Sequence, residues 1–314
     1  MLNNSEHTVM TKKEVLNEQY EIYSDESGSG VDRFESIGTL SCKKSVVAEL
    51  KTELVQVLAG HQLSHCEYKK VAGGCRYNCA LEFLTILHRY ITQGDVKVMV
   101  LVWDKHDKRH QVPGRDDIAN MSIMYYWALK TTKRQWMDTS LDSNFFPDEL
   151  SKVDFKSIIK YLECTRVRSR DSMLSLFGVE FTKSFPSVNS HNELNSSKEP
   201  LIQLIDILTG IVRLTYEEKT TFDAWRHGHE KTEAMQDSLF VVEEDAVTIS
   251  KNKSYKYRLV HELDALLKRD TMQVALKSED GFLSKKPSNG YFLWKYEPQR
   301  DDDKAPTKND SRRV

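Results

Sequence analysis

The sequence predicts an α/β protein built on one mixed sheet with helices on both faces. Three observations carry that prediction. An alternating strand near the start is joined to a second by a Gly-Ser turn, a strand apolar but for Lys97 lies at residues 96–103, and helices of 3.6-residue periodicity separate the strands that follow. A chain of 314 residues has room for two domains, or for one with an elaboration, and buries a full core without disulfide staples.

Each element has its own signal. Residues 20–25 alternate, with Tyr20, Ile22 and Ser24 on one face and Glu21, Tyr23 and Asp25 on the other. The turn Glu26-Ser27-Gly28-Ser29-Gly30 follows, and residues 34–42 return as the antiparallel strand of a hairpin. Ser45 is placed to cap a helix that runs to about residue 59 and ends at Gly60. Residues 65–71 read as a third strand, closed by Gly73-Gly74. Residues 76–92 carry Leu81, Leu84, Leu87, His88 and Ile91 at helical spacing, and Gly94 closes them. Only Lys97 interrupts the apolar run 96–103, the pattern of a strand covered on both faces.

Residues 117–133 form a helix with Ile118, Met121, Tyr125 and Ala128 on one face. A short strand at 135–141, a helix at 148–164, a strand region at 173–185 and a strongly apolar helix at 200–216 follow. Beyond Tyr216 the composition turns polar. It holds a charged, His- and Trp-bearing stretch at 220–232, an amphipathic helix at 255–268 and a final strand at 289–296. The expected organisation is a flexible arm at 1–18, a core at 19–216, a C-terminal α/β elaboration at 217–297 whose role the sequence leaves open, and a disordered tail at 298–314.

Composition excludes several classes. Lys plus Arg is 45 and Asp plus Glu is 47, so the chain is not globally basic, although a local basic groove is compatible with that balance. No apolar run approaches the ~20 residues a bilayer requires, and the polar first nineteen residues are not a signal peptide. Five cysteines, an odd number, do not make a disulfide framework, and a reducing, cytoplasmic setting is expected.

Acids in unusual places mark the candidate chemistry. Asp25 ends the first strand beside Glu26. Asp104 ends the apolar strand, at the sheet edge where open α/β sheets bind ligands. Asp206 sits in a helix apolar almost all round, with Gln203, Thr209, Gly210 and Arg213 on its side. A carboxylate there costs several kcal/mol unless a cation or hydrogen bonds compensate it, so a buried ion pair with an arginine is the competing explanation. Glu67, with Lys69 on the same face of the expected third strand, supplies a fourth acid and a phosphate contact, or else an ordinary exposed ion pair.

Converging carboxylates make a hard oxygen site for Mg²⁺ or Mn²⁺, and two such ions can hold the attacking and leaving oxygens of a phosphodiester. Lys105, Arg109 and neighbouring basic residues follow Asp104, with Trp103, Tyr125, Tyr126 and Trp136 interleaved, a pattern suited to phosphates and bases but common on solvated faces. Arg166, Arg168 and Arg170 alternate in a second basic row. A zinc site from His61, His65, Cys66, Cys75 and Cys79 is disfavoured, because no CxxC pair is present and Gly60 breaks the helix that His61 and His65 would need. No Walker A sequence, dinucleotide fingerprint or nucleophile elbow is present.

Three segments together resemble a known family. Tyr23-Ser24-Asp25-Glu26-Ser27-Gly28, then Glu67-Tyr68-Lys69, then Pro200-Leu-Ile-Gln-Leu-Ile-Asp-Ile-Leu-Thr-Gly210 resemble the hallmarks of the bacterial domain of unknown function 3800. Those are an early Asp-Glu-Ser-Gly, a middle Glu-x-Lys, an Asp ending a buried strand, and a late Gln-Leu-Ala-Asp-Leu-Leu-Ala-Gly helix. Ile205 and Thr209 replace alanines of that helix, and the match covers about residues 19–216.

The resemblance implies an RNase H-like mixed sheet flanked by helices, with Asp25, Asp104 and Asp206 as metal ligands and Glu67 as a fourth. It also implies nuclease activity with one or two Mg²⁺ or Mn²⁺ ions, in the setting of phage defence or mobile elements. Glu26 and Gln203 would orient ligands or water, and Lys69, Lys105 and Arg109 would hold phosphates. The expected partner is nucleic acid, DNA or RNA. A second copy of the chain or a defence-system protein is left open. The alternative is a non-catalytic module binding nucleic acid or protein on the same fold.

Overall fold

The computed structural model describes residues 19–28, 30–137, 143–149, 152–164, 166–168, 182–184, 188–236, 249–276, 281–284 and 289–298. The expected arm at 1–18, the tail beyond Pro298, Arg170 and most of the 173–185 region lie outside them.

The central sheet has six strands. They are β1 (Tyr20–Ser27), β2 (Phe34–Lys43), β3 (Val96–Asp104), β4 (Ser143–Pro147), β7 (Val188–His191) and β10 (Tyr291–Lys295), in the order β10-β3-β2-β1-β4-β7. β1, β2 and β3 form an antiparallel meander, while β4 runs parallel to β1, β7 to β4 and β10 to β3. The five strands β3-β2-β1-β4-β7 make the mixed sheet that the sequence predicts, in the RNase H-like order that the resemblance implies, and β10 extends it at the β3 edge. Small antiparallel pairs, β5 (Arg166–Arg168) with β6 (Thr182–Ser184) and β8 (Val274–Leu276) with β9 (Phe282–Ser284), lie outside the sheet.

Helices cover both faces. On one side lie α1 (Val47–Gly60), α2 (Gly74–Gln93), α5 (Pro200–Glu217) and α7 (Lys251–Arg269); on the other lie α3 (Asp117–Trp136) and α4 (Phe155–Glu163). β3 shows the two-faced burial directly. Val96, Val98, Val100 and Val102 enter the first core, and Met99, Leu101 and Trp103 the second. Burying both faces of this strand removes it from any register slip that would expose apolar residues.

The C-terminal region is part of the same body. α6 (Lys219–Gln236) follows α5, and Tyr257, Leu259, Val260, Leu263 and Leu267 of α7 bury into the first core. His88 of α2 ties it further, meeting the Tyr291 hydroxyl at 3.2 Å and the Asp270 carboxylate at 2.6 Å. Among the described residues no helix is long and apolar enough to cross a membrane.

Four local expectations differ. Ser45 caps nothing, because it lies inside a 3-10 turn, Lys44–Val46, that leads into α1. Residues 65–71 are not a strand: Tyr68–Lys70 is a 3-10 turn, and the Tyr68 N–H is taken by a side chain of α5 instead of a ladder. Of the strand expected at 135–141, residues 135–136 belong to α3, which buries Leu129 and Thr132 and continues to Trp136, while residues 138–141 lie outside the described residues. The helix expected from 148 begins at Phe155. Asp154 caps it by accepting from the Ser157 N–H at 3.2 Å, while Asp148 continues the sheet edge.

Candidate active site

The site forms where β1 and β4 end beneath α5. Asp25 is near the C-terminal end of β1 and is 7% exposed. Its Oδ1 accepts the Glu26 N–H at 2.8 Å. Next to it, Pro147 ends β4 and Asp148 follows. The Asp148 N–H donates to the Ser24 carbonyl at 3.1 Å, which carries this aspartate one step past Pro147 beside β1. Asp148 is buried, and its Oδ1 accepts from the Ser196 N–H at 3.3 Å.

Asp206 descends from α5. Its Oδ2 accepts the Tyr68 N–H at 2.7 Å. That contact depends on Gly210 one turn on, because a Cβ there would stand 2.2 Å from the Tyr68 ring. A helix-interior glycine costs about 1 kcal/mol relative to alanine, and here it lets the turn lie against the helix. A second close approach seats α5 on the sheet. Gly38 of β2, the partner of Asp25 in register, faces Thr209, and a Cβ at Gly38 would meet the Thr209 hydroxyl at 1.9 Å.

The electrostatics follow from burial among like charges. Burial raises the Asp25 carboxyl well above its usual range, and Asp206, Glu26 and Asp148 raise it further. Burial likewise pushes Asp206 up to about 6, against the Tyr68 N–H, with Glu67 and Asp148 adding to the rise and Lys69 opposing it. Burial raises Asp148 as well, against its hydrogen bonds from Ser196. Among the described residues none of the three forms an ion pair. Arg213, the nearest candidate on the helix, pairs instead with Asp32 at 3.3 Å and Glu217 at 3.8 Å.

Two further residues complete the surroundings. Glu67 precedes the 3-10 turn and not a strand position. Burial pushes its carboxyl up, but Lys70 at 3.0 Å, Lys69 at 3.6 Å and His65 outweigh that and hold it low. Gln203 is a positioning residue. Its Oε1 accepts from the Cys66 N–H at 2.9 Å and its Nε2 donates to the Ser196 carbonyl at 2.9 Å, so one amide ties the Glu67 segment to the turn that holds Asp148.

Four predicted residues stand elsewhere. Asp104 pairs in register with Phe34, whereas Asp25 is level with Gly38 and Val100. It therefore lies two strands across and four residues further along, roughly 13 Å in that direction alone. Arg33 donates to Asp104 through Nε at 2.8 Å and through Nη2 at 2.6 Å, and the His106 N–H adds a third bond. Asp104 is thus ion-paired with Arg33 and stands apart from Asp25. Glu26 points to the other face of the sheet, where the Tyr125 hydroxyl donates to it at 2.5 Å. Lys105 pairs with Glu35 at 3.4 Å, and Arg109 donates to the Tyr296 hydroxyl at 2.7 Å.

Asp148, which the structure places beside β1, is not among the acids that the sequence singles out. The signal was present in Phe145-Phe146-Pro147-Asp148, an apolar strand stopped by a proline that cannot donate to the ladder.

The donor set fits a hard divalent cation in its chemistry, since it offers carboxylate oxygens that are crowded, buried and uncompensated. Among the described residues no group of three or more His, Cys, Asp and Glu side chains is already arranged to hold an ion. The match therefore lies in donor type and charge, not in a formed coordination shell.

These features define an α/β protein with an RNase H-like sheet and an acidic cluster at one end of it. No family model matches the chain. It is similar to two uncharacterized proteins of Methanothermobacter thermautotrophicus. ORF2′ is 28% identical over 293 residues, covering 90% of this chain and 96% of that protein. ORF2 is 26% identical over 295 residues, covering 91% and 97%. A chain of the PCNA:RNase HII complex from Archaeoglobus fulgidus aligns over 78% of this chain and 89% of its own, at 12% identity and a TM-score of 0.33, a likeness too slight to build on.

Proposed function

We propose that the protein is a divalent-metal-dependent nuclease, a phosphodiester hydrolase of the family known as domain of unknown function 3800. One observation carries the reading: Asp25, Asp148 and Asp206 approach from three separate elements with no ion pair among the described residues, the charges of Asp206 and Asp148 raising Asp25 and that of Asp148 raising Asp206. A fold keeps such repulsion only where something offsets it, and a divalent cation is the natural offset.

Asp25, Asp148 and Asp206 would hold Mg²⁺ or Mn²⁺, with Glu67 at the rim. When bound, such ions neutralise the phosphodiester and activate a water for in-line attack. The chain's own residues set the stage. The Glu26 and Tyr68 N–H groups each engage one oxygen of Asp25 and Asp206, which orients those carboxylates before any ion arrives. Gln203 holds the Glu67 and Asp148 segments in register. Lys69, with its side chain 75% exposed, projects beside Glu67 and meets a substrate phosphate. The setting in phage defence or a mobile element belongs to the same family assignment.

Cleavage of labelled DNA, RNA and hybrid oligonucleotides with Mg²⁺ or Mn²⁺ tests the proposal. The native protein should cut at least one substrate, and Asp206→Asn should not. No cleavage with either metal would leave a nucleic-acid- or protein-binding module.

A further inference from the structure

A cavity of about 310 Å³ lies on the α3 side of the sheet and takes no part in the acidic site. Arg109, Arg115, Trp127 and Tyr296 line it, around the buried His110 and Asn120. Three elements build it. A 3-10 turn, Lys108–His110, follows β3; Asn120 and Trp127 come from α3; and Tyr296, whose N–H donates to the Val102 carbonyl at 2.7 Å, follows β10.

Two buried polar atoms here have no partner among the described residues. Asn120 is 5% exposed, and its Nδ2 donates to the His110 carbonyl at 2.8 Å. That bond sets the amide's orientation and leaves Oδ1 buried and unpartnered. Nε2 of His110 is buried and unpartnered as well. Burial and the nearby Arg115 push this imidazole down to about 4, so it is neutral at physiological pH. Buried side-chain polar atoms nearly always have partners, and two orphans lining one cavity point to a ligand that supplies them.

The rest of the lining names the ligand's chemistry. Trp127 is 37% exposed, with Lys130 Nζ 4.8 Å over one face of its ring, so part of the side chain is open for stacking. Arg115 donates to the Arg109 carbonyl at 3.3 Å and forms no ion pair among the described residues. A stacking ring, a fixed amide acceptor, a neutral imidazole and an uncompensated guanidinium together match a planar heterocycle bearing N–H groups and a phosphate. The volume is at the lower end of small-ligand sites.

We infer that this cavity binds a nucleotide, with the base against Trp127, a base N–H donating to Asn120 Oδ1, and the phosphate at Arg115. The nucleotide is either free or one unit of a single strand. The inference does not rest on the nuclease reading, because none of its residues belongs to the acidic cluster.

Isothermal titration of the full chain with the four 5′-mononucleotides and a short single strand tests it, with nucleosides and inorganic phosphate as controls. The strand is also titrated against Asp206→Asn, so that cleavage cannot obscure binding. At least one mononucleotide or the strand should bind. Trp127→Ala should weaken that binding roughly tenfold, through the loss of one stacked base. Arg115→Gln should weaken it about fivefold or more and remove the preference for nucleotide over nucleoside. Both side chains reach solvent, and unchanged circular dichroism melts confirm that the variants fold. Mononucleotide binding identifies a free-nucleotide site; binding of the strand alone identifies a nucleic-acid subsite. The inference is overturned if neither ligand binds, if binding survives both substitutions unchanged, or if inorganic phosphate binds equally well. Loss of cleavage in Asp206→Asn with nucleotide binding intact separates this site from the acidic one.

Discussion

Asp25 near the end of β1 and Asp104 at the end of β3 lie toward the same edge of one sheet and are almost equally buried, 7% and 5% exposed. Their surroundings are opposite. Arg33 makes two hydrogen bonds to Asp104, and the His106 N–H makes a third. Asp25 has the Glu26 N–H, and around it stand Asp206, Asp148 and Glu26. The lesson is that burial alone does not mark a functional acid. The missing counter-charge sets Asp25 apart as the candidate, because a buried carboxylate without one must hold a proton or pair with a cation.

The largest expected effect breaks this comparison through activity. Asp25→Asn, Asp148→Asn and Asp206→Asn should each lower cleavage by about 10²–10³-fold or more, the scale of removing a group that organises transition-state charge. Asp104→Asn should keep most of it. Initial rates on one labelled substrate, at matched protein concentration, decide the point.

Stability should move the other way. Asp104→Asn leaves the Arg33 charge without its partner and should lose about 1–3 kcal/mol in denaturant unfolding, less than a fully buried pair because Arg33 is 41% exposed. Asp25→Asn should gain stability at neutral pH, because it removes a buried carboxyl that burial and the nearby acids Asp206, Glu26 and Asp148 disfavour in its charged form. A loss in both variants would mean that the acidic cluster is structural.

pH sharpens the same contrast. Asp206 has a folded-state pKa of about 6, above the unfolded value near 4. The folded state therefore binds more protons between those values, and stability falls as pH rises through that window, by roughly 1–3 kcal/mol. In Asp206→Asn the decline should shrink. Urea midpoints from pH 4 to 7 measure it.

A smaller effect concerns the turn beneath α5. Gly210→Ala puts a methyl where the Tyr68 ring sits, 2.2 Å away, and should cost about 1–3 kcal/mol. It should also move the Tyr68 N–H off Asp206 and lower the metal-stimulated rate. An unchanged melting temperature would show that the turn shifts freely and does not position Asp206.

Much of this was legible in the sequence. The β1–β2 hairpin, the buried β3 and the apolar α5 carry strong periodic signals, and Asp25 and Asp206 were visible as acids in the wrong company. The pairing of β4 beside β1 was not. Its five residues are too short for alternation to register, so Asp148 looked like the start of a helix that Asp154 in fact caps. Asp104 was misplaced for the converse reason. Strand patterning shows that a residue ends a strand, but not its level along the sheet or whether an arginine from a distant turn reaches it. Glu67 reads as a strand residue and instead precedes a 3-10 turn, because its segment is held by side-chain bonds from Gln203 and Asp206 and not by a ladder.

The most direct test is a thermal-shift titration with Mn²⁺ on the native protein, Asp148→Asn and Asp104→Asn. Saturating metal should raise native stability by about 2–3 kcal/mol at a hundredfold excess over the dissociation constant. Asp104→Asn should keep that gain and Asp148→Asn should lose it. A shift that survives in Asp148→Asn and vanishes in Asp104→Asn would contradict the account.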